Sequence, residues 1–364
     1  MHLRNSRLVI LLVVFLAIHI LTTGSARGAQ GAPAAGSSPA VQTAPPQGQP
    51  SQSNQGTTAP PPAEAQPGAP EPAAPATNDN GVFVFRTQVE EVVLHATVVD
   101  ERMRLVTNLD RSAFTVLENN VPQAITSFRR EDVPVAMGIV IDNSGSMREK
   151  REKVNKAALN LVRASNPGDQ VFVVNFNDEY YLDQDFTSDI KKLSNALEKV
   201  ESRGGTALYD ALVASWDDYL KKNTKLQKRV LFVVTDGEDN SSTDTLEQTI
   251  HDLQQENGPT VYAIGLLGDE KARRARRALE TMAERTGGIA FFPKTLDEVD
   301  EISRTVAHDI RNQYTIGYKP KTPKSVGGYR AIHVDAHAKG YKKLTVRTRT
   351  GYYPGQEHAP GGAP

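Results

Sequence analysis

Apolar residues change rhythm several times along this chain. A short unbroken run, "LVILLVVFLAIHIL", follows Arg4 and Arg7, and then large aliphatic residues all but vanish from Ala29 to Asn80. From residue 82 the pattern is alternation with a period of two: Val89, Val92, Leu94, Thr97 and Val99, then Phe114, Val116 and Glu118. Alternation of that kind predicts half-buried strands, with Asn119-Asn120 as a turn and Pro122 near an edge. Residues 82–131 thus read as a small antiparallel β unit without a helix, too small to stand alone.

After Pro134 the rhythm changes to apolar runs separated by helical periods. "VAMGIVID", "QVFVVNF", "RVLFVVTD", "PTVYAIGLL" and "GIAFFP" are near-continuous, as strands covered on both faces are. Between them, residues 148–164 set Val154, Ala158, Leu161 and Val162 on one helical face, and "NPGD" stops that helix. "TALYDALVASWDDYLKK", "DTLEQTIHDLQQEN" and residues 270–286 and 295–312 repeat the helical pattern, with Trp216 as a core residue. "FNDEYYLDQDF" instead predicts a hairpin into an antiparallel edge strand. The fold expected is α/β, a doubly wound, mostly parallel sheet over residues 133–313. Residues 314–354 return to strand and turn, and are expected to pair with residues 81–132 in a flanking β-rich subdomain.

Composition fills in the ends. The first 28 residues have the charged, apolar and small-residue regions of a secretory signal, with Ala26 or Gly28 as cleavage points. Left uncleaved, the segment would tether the chain to a membrane, although the run is short for a span. The Pro, Ala, Gly and Gln-rich segment 29–80 reads as a disordered linker, and 355–364 as a disordered tail. The bulk of the chain is therefore expected outside the cytoplasm, in a periplasm, at a cell surface or secreted. A net charge of -1 gives no sign of a nucleic-acid partner, and the absence of cysteine excludes disulfides, thiolate zinc sites and a thiol nucleophile.

Two strands of the α/β part end in an acid, at Asp142 and Asp236. In an open parallel sheet, sites form beyond the carboxyl ends of the strands, where two carboxylates repel unless a cation lies between them. Ser144 and Ser146 follow Asp142 in the loop that opens a helix, and Thr206 follows Gly204-Gly205 in "SRGGTALYDAL". Each of these has a plainer use: Ser144 and Thr206 as helix caps, Asp236 as a turn residue. Taken together they form a set of hard oxygen donors suited to Mg²⁺, Mn²⁺ or Ca²⁺ rather than to zinc. Elsewhere, "KARRARR" at 271–277 reads as a solvated helix face, and His333 with His337 lacks a third ligand.

The "DNSGS" stretch, the Thr after Gly-Gly and the Asp of "VVTDGEDN" resemble the three loops of the metal-ion-dependent adhesion site of von Willebrand factor type A domains. The resemblance covers the whole α/β part. The exported chain with a preceding β segment and a "GYY" ending is also similar to a bacterial, acidobacterial-type group of such proteins. It implies Ser144, Ser146 and Thr206 as metal ligands, Asp142 and Asp236 acting directly or through water, and a partner's Asp or Glu in the last position. Asn143, Met147, Gly205, Glu238 and Asp239 are the expected partner-binding rim. The function expected is non-enzymatic, cation-dependent protein binding of the adhesion type. An assembly subunit in which the metal only staples loops is the alternative, and a Mg²⁺-dependent phosphoesterase a more distant one. Against the enzyme, no phosphate-loop lysine, Gly-x-Ser-x-Gly elbow or Ser-His-Asp order is present.

Overall fold

The structure is a computed structural model that describes residues 91–355 apart from 131, 165, 199–201 and 268–271. The expected signal segment, the linker and all but Gly355 of the expected tail lie outside the described residues. Among the described residues no helix is long and apolar enough to cross a membrane.

In chain order the strands are β1 (Val92–Asp100), β2 (Phe114–Glu118), β3 (Val121–Gln123), β4 (Ile125–Arg129), β5 (Val135–Asp142), β6 (Gln170–Phe176) and β7 (Tyr180–Thr187). They continue as β8 (Lys228–Thr235), β9 (Thr260–Gly265), β10 (Ala290–Phe291), β11 (Tyr314–Tyr318), β12 (Arg330–Ala336), β13 (Leu344–Arg347) and β14 (Gly351–Tyr352). The helices are α1 (Arg151–Arg163), α2 (Ile190–Glu198), α3 (Leu208–Ala214), α4 (Lys221–Asn223), α5 (Leu246–Leu253), α6 (Arg273–Thr286) and α7 (Glu298–Arg311). A π-helical segment, Ser215–Leu220, joins α3 to α4.

The central sheet runs β10-β9-β8-β5-β6-β7, parallel throughout except for β7, the antiparallel edge strand that the hairpin pattern predicts. β5 explains the doubly wound form residue by residue. Val135, Met137, Ile139 and Ile141 point into the core under α1, α2 and α7, while Ala136 and Val140 join the opposite core with Trp216, Leu253 and Met282. Such burial on both faces, worth roughly 1.5–3 kcal/mol per large aliphatic side chain, is why these strands read as unbroken apolar runs. From β5 the chain first moves to β6 on one side and later to β8 on the other. The connections therefore diverge between β5 and β8, and a crevice opens where those strands end.

The flanking β-rich subdomain is built from both ends of the described chain. β1, β4, β11 and β13 form one four-stranded sheet, β2, β3, β12 and β14 another, and both contribute to one core that includes Leu94, Val116, Ile316 and Val334. The Asn119-Asn120 turn has both residues in left-handed conformation (φ 49° and 63°), which fits the twist of a tight hairpin. β1 is more buried than its alternation suggests. Ala96 and Val98 continue the core face, while Thr97 faces the α/β domain and accepts a bond from the Gln313 side chain at 3.3 Å. A 3₁₀ turn at Arg111–Ala113 is the one departure from an all-strand N-terminal unit among the described residues.

Candidate metal centre

Asp142 closes β5 and Asp236 follows β8, so the divergence of the chain brings them to one crevice. Asp142 is fully buried. Its Oδ1 accepts the Ser144 amide at 2.8 Å and its Oδ2 the Thr235 hydroxyl at 2.6 Å. The Ser144 and Ser146 hydroxyl oxygens lie 3.1 Å apart, and Ser146 donates onward to Asp236 Oδ1 at 2.7 Å. Lys150 bridges to the other oxygen of Asp236 and also reaches the Ser146 carbonyl at 3.4 Å. Thr206, buried in the neighbouring loop, has its hydroxyl 3.4 Å from where a side chain on Gly237 would begin, beside Asp236.

None of these hydroxyls caps a helix. Ser144 heads the short 3₁₀ turn Gly145–Met147 without a capping bond, α1 has Lys150 at its cap with none, and α3 has Ala207, not Thr206, at its cap. The oxygens are thus left to one another and to the two acids. Burial pushes the Asp142 carboxyl above its ordinary pKa, the Thr235 and Ser144 bonds pull against that, and the Asp236 charge adds to the rise. A buried acid beside a second acid, ringed by hydroxyls, fits a hard divalent cation by donor chemistry and by charge. Among the described residues no cluster of three or more His, Cys, Asp or Glu side chains could hold a metal. Any ion at this crevice therefore depends on the hydroxyls.

Three loops hold their shape through backbone bonds. Gly145 N–H donates to Gly204 O at 3.3 Å, Arg203 N–H to Asn143 O at 2.9 Å and Asn240 N–H to Thr206 O at 3.0 Å. The Gly204-Gly205 pair is dictated by crowding. Gly204 sits at φ +76°, and a Cβ on Gly205 would run into Ser241, Asp178 and Asn240 side-chain oxygens.

The expected rim is only partly at the surface. Glu238 is exposed, Gly205 and Asp239 are half-buried, and the Asp239 carboxylate is occupied by the Ser242 hydroxyl at 2.6 Å and the Tyr209 amide at 3.1 Å. Asn143 and Met147 are corrected by the structure. Asn143 is 3 % exposed, with its side-chain oxygen held by Arg151 at 2.8 Å, and Met147 is 0 % exposed in the core under α1. Met147 stands between the exposed Ser146 and Arg148, but the tight turn points it inward, and Asn143 lies between the buried Asp142 and Ser144.

Sequence reasoning missed four contributors. Lys150 lies four residues after Ser146, one helical turn on, and that spacing is a signal for contact. Thr235 was hidden in an apolar strand, although its hydroxyl orients Asp142. Asp178 follows β6 as Asp142 ends β5, and it anchors the Gly205 amide at 2.8 Å. Asn240 holds the Thr206 amide at 3.0 Å and carries no pattern of its own.

A doubly wound α/β domain with oxygen donors from three loops at its switch point defines the class. Residues 137–238 match the family model described as von Willebrand factor type A domain, and the chain contains such a domain. A human integrin alpha-11 is 34% identical over 140 residues, covering 36% of this chain and 11% of that protein. A mouse calcium-activated chloride channel regulator 3A-1 is 27% identical over 176 residues, covering 46% and 18%. The chain spans less than a fifth of either relative. Among solved structures, a von Willebrand factor type A protein from Catenulispora acidiphila superposes with a TM-score of 0.44 at 14% identity, over 74% of this chain and 75% of that one.

Proposed function

We propose that this chain is an exported protein-binding module of the adhesion type, which captures an acidic group of a partner protein through a divalent cation. Ser144, Ser146 and Thr206 would hold the ion, with Asp142 and Asp236 acting directly or through water, and Mg²⁺ is the first choice with Mn²⁺ and Ca²⁺ behind it. Bound there, the ion supplies a positive pole with room for an outside carboxylate, and surface groups around it select which partner brings one. The observation that carries the reading is a pair of serine hydroxyls, Ser144 and Ser146, that cap no helix and meet the two acids instead, with the Thr206 hydroxyl beside Gly237.

The mouth of the crevice supports a partner surface. Ser146, Arg203 and Glu238 are exposed there, and the neighbouring edge strand shows Tyr180, Tyr181 and Leu182 to solvent at about 40 % each. Aromatic side chains next to a charged anchor suit a protein contact. The backbone bonds between loops weigh against a metal that only staples them, since the loops are joined without it. The N-terminal pattern supports export, and the integrin relative supports an adhesive role.

The test is capture from an envelope extract in Mg²⁺ and in chelator, comparing wild type with Ser144→Ala/Ser146→Ala. Titration calorimetry with Mn²⁺ on the same proteins measures the ion itself. A partner held only by wild type with metal is the expected result. If chelator and the double substitution leave the captured set unchanged, the reading is wrong.

A further inference from the structure

The opposite end of the central sheet holds a cavity that the crevice does not use. It encloses about 490 Å³ between the start of β8, the α5–β9 loop and the β-rich subdomain. From Arg229 to Asp236 the strand spans roughly 23 Å at about 3.3 Å per residue, so the two sites are well separated.

Arg349 is the feature that needs explaining. It is only 8 % exposed, yet its single hydrogen bond among the described residues goes to the Gln255 carbonyl, at 2.9 Å. No carboxylate lies within 4.0 Å of it there. Arg229, on the same cavity wall, donates to the Asn257 carbonyl at 3.0 Å, also lacks a carboxylate, and keeps a buried Nε with no partner. Thr348 adds a buried hydroxyl without a partner. Two carboxylates line the cavity with three cations, Arg229, Lys324 and Arg349, and neither forms an ion pair with Arg229 or Arg349, although the charge of Glu256 is felt at Arg349. Glu256 binds Lys324 at 2.7 Å and the Gly355 amide at 3.0 Å, and Glu91 accepts from Thr126 at 2.5 Å. Burying a charge without an opposite charge is costly, and folded proteins ordinarily pair it.

We propose that this cavity is a phosphate site, in which Arg349 and Arg229 hold the phosphate group of a small ligand. Two guanidinium forks and a free hydroxyl offer more donors than the two oxygens of a carboxylate use well, which favours the three or more oxygens of phosphate. The cavity is larger than the ion alone needs and lies within the range of small-molecule sites. His95, which faces the same space, reports the field there. Burial first, and then the charges of Lys228 and Arg349, push its ring down to about 3.

Titration calorimetry of the full chain with inorganic phosphate, at constant ionic strength, is expected to show one saturable site. Arg349→Met and Arg229→Met should each weaken it on the order of ten-fold or more, whereas chelator and Ser144→Ala/Ser146→Ala should leave it unchanged. Glycerol phosphate forms a second arm: tighter binding of the ester assigns a phosphorylated molecule, and equal binding assigns the free ion. Because loss of a buried guanidinium can unsettle the fold, the His95 ring signals of wild type provide an independent readout. They should move with phosphate and saturate at the same concentration. Wild type without saturable binding and with still His95 signals overturns the proposal, and so does binding that survives both arginine substitutions.

Discussion

The two ends of β8 place charges out of bulk water in opposite ways. At its carboxyl end the acids are met by donors: Thr235 and the Ser144 amide on Asp142, Ser146 and Lys150 on Asp236. At its amino end the hydrogen bonds of Arg229 and Arg349 go to neutral carbonyls, and Arg229 also lies over the Trp216 ring at 5.7 Å. The first arrangement is nearly balanced within the chain, because Lys150 already stands where a cation is wanted. The second is not balanced. A charge with an internal partner can be structural and nothing more; one without a partner has its counter-charge still to come.

Arg330 is the internal control for that distinction. It is as buried as Arg349, but Glu118 lies 3.6 Å away, and Thr322, Pro323 and Val326 carbonyls take its remaining donors. Glu118 in turn accepts the Tyr318 and Tyr352 hydroxyls at 2.7 and 3.0 Å. Glu118→Ala strands Arg330 and should cost about 3–5 kcal/mol in urea unfolding, the largest effect anticipated. Replacing chloride by phosphate should do nothing to stabilise that variant beyond its effect on wild type. A small loss on Glu118→Ala would mean that buried guanidinium groups are tolerated unpaired here, which would weaken the case for Arg349.

The next effect belongs to the acid end. At a Mg²⁺ concentration about 100 times the dissociation constant, a bound ion should stabilise wild type by about 2.7 kcal/mol, and Ser144→Ala/Ser146→Ala should abolish that gain in thermal melts. Much of this end is legible in the sequence because its parts are local. Asp142, Ser144 and Ser146 share one loop, and Thr206 and Asp236 each stand beside glycines that mark a turn. Asn143 and Met147 went astray for the same reason: adjacency in a loop says nothing about which way a tight turn points a side chain. The cationic end could not be read at all. Its residues come from near positions 91, 229, 256, 324 and 349, brought together by the pairing of β1 with β11 and β13 and by the bridge between Gln255 and Tyr353. The sheet core lies between these cases, since unbroken apolar runs state burial on two faces but not strand order.

Lys150 tests how far the acid end is balanced. Its side chain is 30 % exposed and that of Asp236 only 1 %, so the pair is partly screened. Lys150→Met removes a positive charge that an incoming ion must otherwise face. Mn²⁺ affinity should rise on the order of ten-fold at low salt, and the difference should shrink as salt is added. Weaker binding in this variant would make Lys150 a support of the loop rather than a stand-in for the ion.

His95 gives the smallest effect and the sharpest contrast between the ends. Its ring is neutral in the folded chain down to about 3, against an ordinary value of 6.5. More than about one pH unit above 6.5 neither the folded nor the unfolded chain protonates it, so it contributes no pH dependence there. Below that, the unfolded chain takes a proton that the folded chain refuses, and stability falls as pH drops from about 7.5 through 6.5 towards about 3. Between about pH 7.5 and 6 the loss should be about 0.8 kcal/mol, absent in His95→Gln and measurable by urea midpoints. Phosphate in the cavity would offset the positive field of Arg349 and Lys228, though not the burial that is the larger cause, so the folded ring should rise and the stability lost at the acid end of the range, towards about pH 4, should be smaller in wild type. Mg²⁺, acting at the far end of β8, should leave it unchanged. An acid-end loss that responds to Mg²⁺ but not to phosphate would reverse the assignment of the two ends.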